Sequence, residues 1–180
     1  MLYAPTWRDN LRTGRIFDKV GYLDAKRVVE RLGDAFVLLR GHHNTMGADE
    51  EHTDARIVDV TRFPDISELY LAADALVTDY SSAFFDFALT DKPMCFLAPD
   101  LVHYREDGRG FYLDYHDTVP GPVCADTDEV VEVLQSADEY AGIRREFRDR
   151  FAPWDDGQAS RRVVDALLAG TPVQDENVVG

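Results

Sequence analysis

Short apolar runs alternate along this chain with stretches whose apolar positions recur every three or four residues. The first run, Leu2-Tyr3-Ala4, stops at Pro5 and passes into a polar, glycine-containing segment that lasts to Gly21. Residues 35–39 (Ala-Phe-Val-Leu-Leu) are uninterruptedly apolar, the pattern of a strand buried on both faces. Residues 57–60, 75–79 and 93–97 supply three more runs of strand length. Helical patterns lie between them. Asp24 is placed to cap a helix ending at Leu32, with Ala25, Val28, Val29 and Leu32 on one face. Residues 64–73 carry Pro64 near a first turn and acidic residues early, both favourable there. Residues 83–89 predict a very apolar helix, and 126–135, 139–151 and 158–168 predict three more. About five strands alternating with helices define an α/β class, a Rossmann-like parallel sheet with flanking helices. Residues 98–122 read as a long irregular segment and 171–180 as a flexible tail, so the domain spans 1–170. The first strand begins at the second residue, which leads us to expect upstream sequence, as another domain or a partner chain.

Composition narrows the function. A length of 180 residues fits one domain, and 45% hydrophobic residues exclude disorder. The net charge of −15 argues against a nucleic-acid partner and a broad electrostatic membrane anchor. It leaves room for a small anion held by local N–H groups. Cys95 and Cys124 form no CxxC and no Cys/His cluster, so we expect buried, reduced thiols and no metal. No apolar run reaches the ~20 residues of a membrane span, and the first residues lack signal-peptide character. A cytoplasmic location is the expectation.

In a doubly wound sheet, ligands bind beyond the carboxyl ends of the strands. Four polar clusters fall at such ends: Pro5-Thr6-Trp7-Arg8, Arg40-Gly41-His42-His43, Asp59-Val60-Thr61-Arg62 and Asp79-Tyr80-Ser81-Ser82. In the last, two serines open a helix directly after a strand. Unpaired N–H groups and the positive end of the helix dipole attract anions there, and the hydroxyls add donors for phosphate oxygens. Simple capping by Ser81 or Ser82 is the plainer alternative. Asp86, four residues beyond Ser82, is out of character in so apolar a helix. It suits a ribose or alditol hydroxyl, or else an exposed face. Arg40 and His42 alternate, so an extended strand end points them the same way. A cation beside an imidazole suits a diphosphate, and His42 can give a proton to a departing phosphate. Trp7, between Thr6 and Arg8, can stack on a base or cover the sheet edge. Arg105 and Arg109 are phosphate candidates with surface charge as the default, and His43 and His52 take no role. Spacing does not choose between His103 and His116. The mixed charges of residues 139–150 predict a solvated, salt-bridged face. No Walker A, GxGxxG or GxSxG sequence occurs, which weakens P-loop, dinucleotide oxidoreductase and α/β-hydrolase readings.

Several of these stretches in order resemble a family. Tyr3-Ala4-Pro5-Thr6-Trp7-Arg8, Arg40-Gly41-His42, Asp65-Ile66 with Leu69, Thr78-Asp79-Tyr80-Ser81-Ser82 and Phe84-Phe85-Asp86-Phe87 are similar to the CDP-glycerol glycerophosphotransferases of teichoic acid synthesis. Lys92-Pro93, Arg109-Gly110 and Gly121-Pro122 continue the likeness, which runs from Leu2 to about Leu134. The resemblance implies a GT-B architecture of two Rossmann-like domains, of which this chain would be the C-terminal, nucleotide-binding half. It implies that Thr6, Trp7, Arg40, Gly41, His42, Ser81, Ser82 and Asp86 line a site for CDP-glycerol or a related CDP-alditol, with His42 catalytic at the phosphates. It implies transfer of glycerol phosphate to a teichoic-acid-like polymer with release of CMP, no cofactor, and membrane contact that is only peripheral. The family's other key histidine, the general base, belongs to an N-terminal domain, so acceptor binding would need that domain or a partner chain. His43 stands where many members have proline. Three rivals stay open: a non-catalytic nucleotide-binding subunit, a fragment of a nucleotide-sugar transferase of GT-B type, and an inactive remnant.

Overall fold

The computed structural model describes residues 1–6, 22–41, 54–106, 108 and 110–169. Its centre is a sheet of six parallel strands: β1 Leu2–Tyr3, β2 Val37–Leu39, β3 Ile57–Asp59, β4 Leu76–Thr78, β5 Met94–Leu97 and β6 Val123–Cys124. Their spatial order is β3-β2-β1-β4-β5-β6. The chain builds outward from β1 to β3, then returns to the other side of β1 to lay down β4, β5 and β6. Strand order therefore reverses between β1 and β4, and the crevice of a doubly wound sheet opens beyond the carboxyl ends of that pair.

The period of two along each strand divides the core into two layers. Leu2, Ala4, Leu76, Met94 and Phe96 point to one side, where they pack with Leu69, Tyr70, Phe84, Phe87 and Phe147. Tyr3, Val77, Cys95 and Leu97 point to the other, against Val28, Val29, Val130 and Val131. The first layer is roofed by α2 (Ile66–Ala72), α3 (Ala83–Phe87) and α7 (Ala141–Phe151), the second by α1 (Ala25–Leu32) and α6 (Thr127–Gln135). Both cysteines are free and buried, as expected. The hydrogen bond that the neutral Cys95 thiol makes with Cys124, and then burial, push the Cys95 thiol well above its ordinary pKa.

The caps obey local rules. Asp24, Asp65 and Asp126 each accept backbone N–H bonds at the start of α1, α2 and α6. Pro64 lies before the Asp65 cap rather than inside the first turn. α3 is shorter than the sequence predicts: it closes at Phe87 into a 3-10 turn, Ala88–Thr90, that ends on Asp91 with φ +56°.

The stretch 98–122, read from sequence as irregular, holds α4 (Leu101–Glu106) and α5 (Tyr115–Thr118), and just beyond it lies the short β6. None is long enough to show a period. Each has a tertiary contact: Tyr104 of α4 stacks on Tyr80 at 3.9 Å, the Tyr115 hydroxyl of α5 donates to Asp79 O at 3.0 Å, and β6 pairs with β5. One helix face also departs from expectation. Arg144 of α7 is buried instead of solvated. Residues Ala159–Ala169 form α8. No described helix is long and apolar enough to cross a membrane. The expected tail, 171–180, lies outside the described residues.

Candidate functional site

The ends of β1 and β4 are laced together by three hydrogen bonds, and a fourth ties α5 to them. Ala4 N–H donates to Val77 O at 3.0 Å. The Thr78 hydroxyl donates to Ala4 O at 2.7 Å, and Thr6 N–H donates to Asp79 Oδ1 at 2.7 Å. The Tyr115 hydroxyl, arriving from α5, donates to Asp79 O at 3.0 Å. Thr78 and Asp79 are both buried. The result is that Thr6 and the Tyr80-Ser81-Ser82 turn follow adjacent strand ends at the switch point. Thr6 Oγ1 is buried there without a hydrogen-bond partner. Such a hydroxyl costs about 1–3 kcal/mol unless something bonds to it.

The two serines differ. Ser81 Oγ accepts a bond from Ala83 N–H at 3.3 Å, so this hydroxyl caps α3 as the plainer reading has it. Ser82 makes no side-chain cap bond and is exposed. It borders a cavity of about 230 Å³ whose other walls include Tyr80, Phe84, Phe111 and Tyr115. Tyr80 is fixed in that wall by stacking on Tyr104 at 3.9 Å and by donating its hydroxyl to Asp100 at 2.9 Å.

On the other side, Arg40 and Gly41 leave β2. Arg40 Nη1 donates to Val60 O at 3.1 Å and also to Phe63 O. Gly41 N–H donates to the Thr61 hydroxyl at 2.9 Å, whose own N–H donates to Asp59 Oδ1 at 2.7 Å. Arg40 and Gly41 therefore hold the loop after β3 against the end of β2. That positioning role was not expected of Arg40. Asp86 lies on the exposed side of α3. Its charge still reaches Tyr70: burial first, then Asp86, push the phenol up to about 12, while Arg40 acts in the opposite sense.

Thr6, Arg40 with Gly41, and Ser81 with Ser82 follow the carboxyl ends of β1, β2 and β4, and Asp86 lies on the exposed side of α3. Trp7 and His42, with Arg8, His43, His52 and Arg109, lie outside the described residues. Sequence reasoning did not assign Thr78, Asp79, Tyr70 or Tyr115. Asp79 had a usable signal, its place at a strand end before two serines; Tyr115 had none, because its segment shows no period. Among the described residues, no group of three or more His, Cys, Asp or Glu could hold a metal ion. Hydroxyl and N–H donors with an arginine nearby suit a ligand rich in acceptor oxygens.

A six-stranded parallel sheet in this order, with helices on both faces, makes the molecule a doubly wound, Rossmann-like α/β domain. Residues 1–169 match the model of the family CDP-Glycerol:Poly(glycerophosphate) glycerophosphotransferase, and the chain belongs to that family. It is 40% identical over 175 residues to the teichoic acid glycerol-phosphate transferase of Staphylococcus aureus (strain NCTC 8325 / PS 47), covering 93% of this chain and 44% of the relative. The solved wall teichoic acid polymerase TagF superposes with a TM-score of 0.79 at 32% identity, over 94% of this chain and 43% of that one. A variant of that polymerase soaked with CDPG gives a TM-score of 0.78 at 32% identity, over 94% and 42% of the two chains. The chain thus spans less than half the length of these proteins.

Proposed function

We propose that this chain binds CDP-glycerol, or a related CDP-alditol, at the switch point and serves as the donor half of a glycerophosphotransferase. The single observation that carries the reading is the lacing of β1 to β4. It sets the unpartnered Thr6 hydroxyl and the uncapped Ser82 hydroxyl on neighbouring strand ends, in a chain of this family. Ser82 and Thr6 contact the diphosphate in this reading. Arg40 and Gly41 shape the loop after β3 that flanks the nucleotide, and Asp86 accepts from a ribose or alditol hydroxyl. Trp7 and His42 enter through their places in the family's sequence pattern.

The reaction is displacement at phosphorus. A hydroxyl oxygen of the growing polymer attacks the phosphorus that carries glycerol, and a P–O bond to the acceptor forms. The bond from that phosphorus to the bridging oxygen breaks, and CMP departs with that oxygen. The acceptor proton goes to a base outside this domain, and His42 protonates or hydrogen-bonds the leaving phosphate. Donors fixed in place by strand ends stabilise charge on the phosphates without reorganising, so binding needs no metal. Residues 1–170 form the donor domain, the C-terminal half of a GT-B enzyme. The acceptor polymer is held by an N-terminal domain or partner chain at the inner face of the membrane.

Calorimetric titration of the purified chain with CDP-glycerol, CDP-ribitol, CMP and UDP-glucose, without metal, tests this. Binding of a CDP-alditol in preference to UDP-glucose is expected. Preference for UDP-glucose would favour a nucleotide-sugar transferase, and a folded chain that binds none of the four would sink the reading.

A further inference from the structure

The residues proposed to touch the diphosphate do not hold themselves in place. Thr6 follows Pro5 at the end of a two-residue strand, and little local structure specifies its geometry. Its backbone is fixed from the neighbouring strand by Asp79, through the 2.7 Å bond to Oδ1. Asp79 is itself pinned: its side chain is 1% exposed, and its carbonyl accepts from the Tyr115 hydroxyl at 3.0 Å. The residue thus bridges three elements, β1, β4 and α5, and it immediately precedes the Tyr80-Ser81-Ser82 turn.

Asp79 is buried, and its Oδ1 is committed to the Thr6 N–H. We infer that Asp79 is a positioning residue for donor binding: its Oδ1 sets the Thr6 turn so that the otherwise unpartnered Thr6 hydroxyl meets the ligand's phosphate oxygens. This rests on the donor-site reading above and adds to it the residue that organises the site. Asp79 itself contacts no ligand.

Three variants of the whole chain test the inference by CDP-glycerol titration, with thermal melting of each. Asp79→Ala removes the acceptor and is expected to weaken binding at least tenfold. Asp79→Asn keeps an acceptor oxygen while removing the charge, and is expected to restore affinity to within tenfold of the native chain. Thr6→Val removes the hydroxyl at constant shape. It is expected to weaken binding at least tenfold while melting no lower than the native chain, because that hydroxyl has no partner in the fold. A tenfold loss in Asp79→Asn would assign the work to the charge and overturn the inference, as would near-native affinity in Thr6→Val. Should Asp79→Ala fail to fold, the other two variants still decide. A native chain that binds no CDP-glycerol overturns the donor-site reading instead. The Asp79 bond is then judged by amide exchange: slow at Thr6 N–H in the native chain and in Asp79→Asn supports it, and fast in either overturns it.

Discussion

Arg144 grips Asp138 with both arms of its guanidinium, Nη1 to Oδ1 at 2.8 Å and Nη2 to Oδ2 at 2.5 Å. Nη2 also donates to Asp91 O at 3.2 Å, the residue that ends the turn after α3. The arginine side chain is 2% exposed, while that of Asp138 is 35% exposed. One side chain therefore ties α7 to the end of the α3 turn and to the connection between α6 and α7. Removing a fully buried partner costs about 3–5 kcal/mol, but Asp138 can rehydrate here. Arg144→Met, which keeps the stem, is expected to cost about 2 kcal/mol in urea unfolding without weakening CDP-glycerol binding more than threefold.

Acid acts on the same pair. The hydrogen bonds from Arg144 hold the Asp138 carboxyl below its ordinary 3.8. Its folded pKa is thus lower than its unfolded one. The clamp contributes fully above about pH 4 and is lost as pH falls through the folded value. Urea midpoints measured from roughly pH 5 down to 2.5 should fall less steeply in Arg144→Met than in the native chain.

Lys92 reaches back to the end of α2, where its ammonium donates to the carbonyls of Tyr70 at 3.1 Å, Leu71 at 2.7 Å and Ala73 at 2.8 Å. A cation at a helix C-terminus satisfies carbonyls that the helix leaves open. Lys92→Met is expected to lower stability by about 1–2 kcal/mol, with hydrogen exchange accelerated in Ile66–Ala72 and not in α6.

Ser81 and Ser82 should separate stability from binding. Ser81→Ala removes an oxygen that accepts from Ala83 N–H and is expected to cost about 1 kcal/mol. Ser82→Ala removes a hydroxyl with no cap bond, so melting should hold while CDP-glycerol affinity falls at least fivefold. The reverse pattern would reassign the two hydroxyls.

Gly121 sits against the β5 backbone, where an added Cβ would run into the Met94 carbonyl oxygen. Backbone cannot give way as a flexible side chain can. Gly121→Ala is expected to cost about 3 kcal/mol and to loosen the β5–β6 edge, read by circular dichroism melting and by exchange at Val123 and Cys124.

Much of this was legible in the sequence. The apolar runs at 35–39, 57–60, 75–79 and 93–97 each contain the strand they predict; burial on both faces demands continuous apolar residues in β4 and β5, while the edge strand β3 buries only Ile57. Asp24 and Asp126 mark helix starts because a cap needs only its own next two or three N–H groups, while Asp65, read as an early acid within its helix, is the cap itself. The described parts of the clusters at 5–8, 40–43 and 79–82 lie at the carboxyl ends of β1, β2 and β4, because in a parallel sheet those ends share one edge. The motif pattern, however, mixes two kinds of residue. Lys92 and Gly121 stood beside the serines in the family likeness, yet their contacts are with a helix end and a strand backbone. Nothing in their one-dimensional spacing distinguishes them from ligand contacts.

What the chain determined by itself is whatever depends on neighbours along it: the α/β class, most element positions, the helix caps, the family and the set of polar strand ends. What only the tertiary structure decided depends on partners far away in sequence. It chose the order β3-β2-β1-β4-β5-β6 and made two-residue β6 a strand by pairing it with β5. It also buried Arg144 and joined Asp79 to Thr6, 73 positions apart. A hydrogen bond across a sheet leaves no periodic trace, because the geometry that forms it exists only once the strands lie side by side.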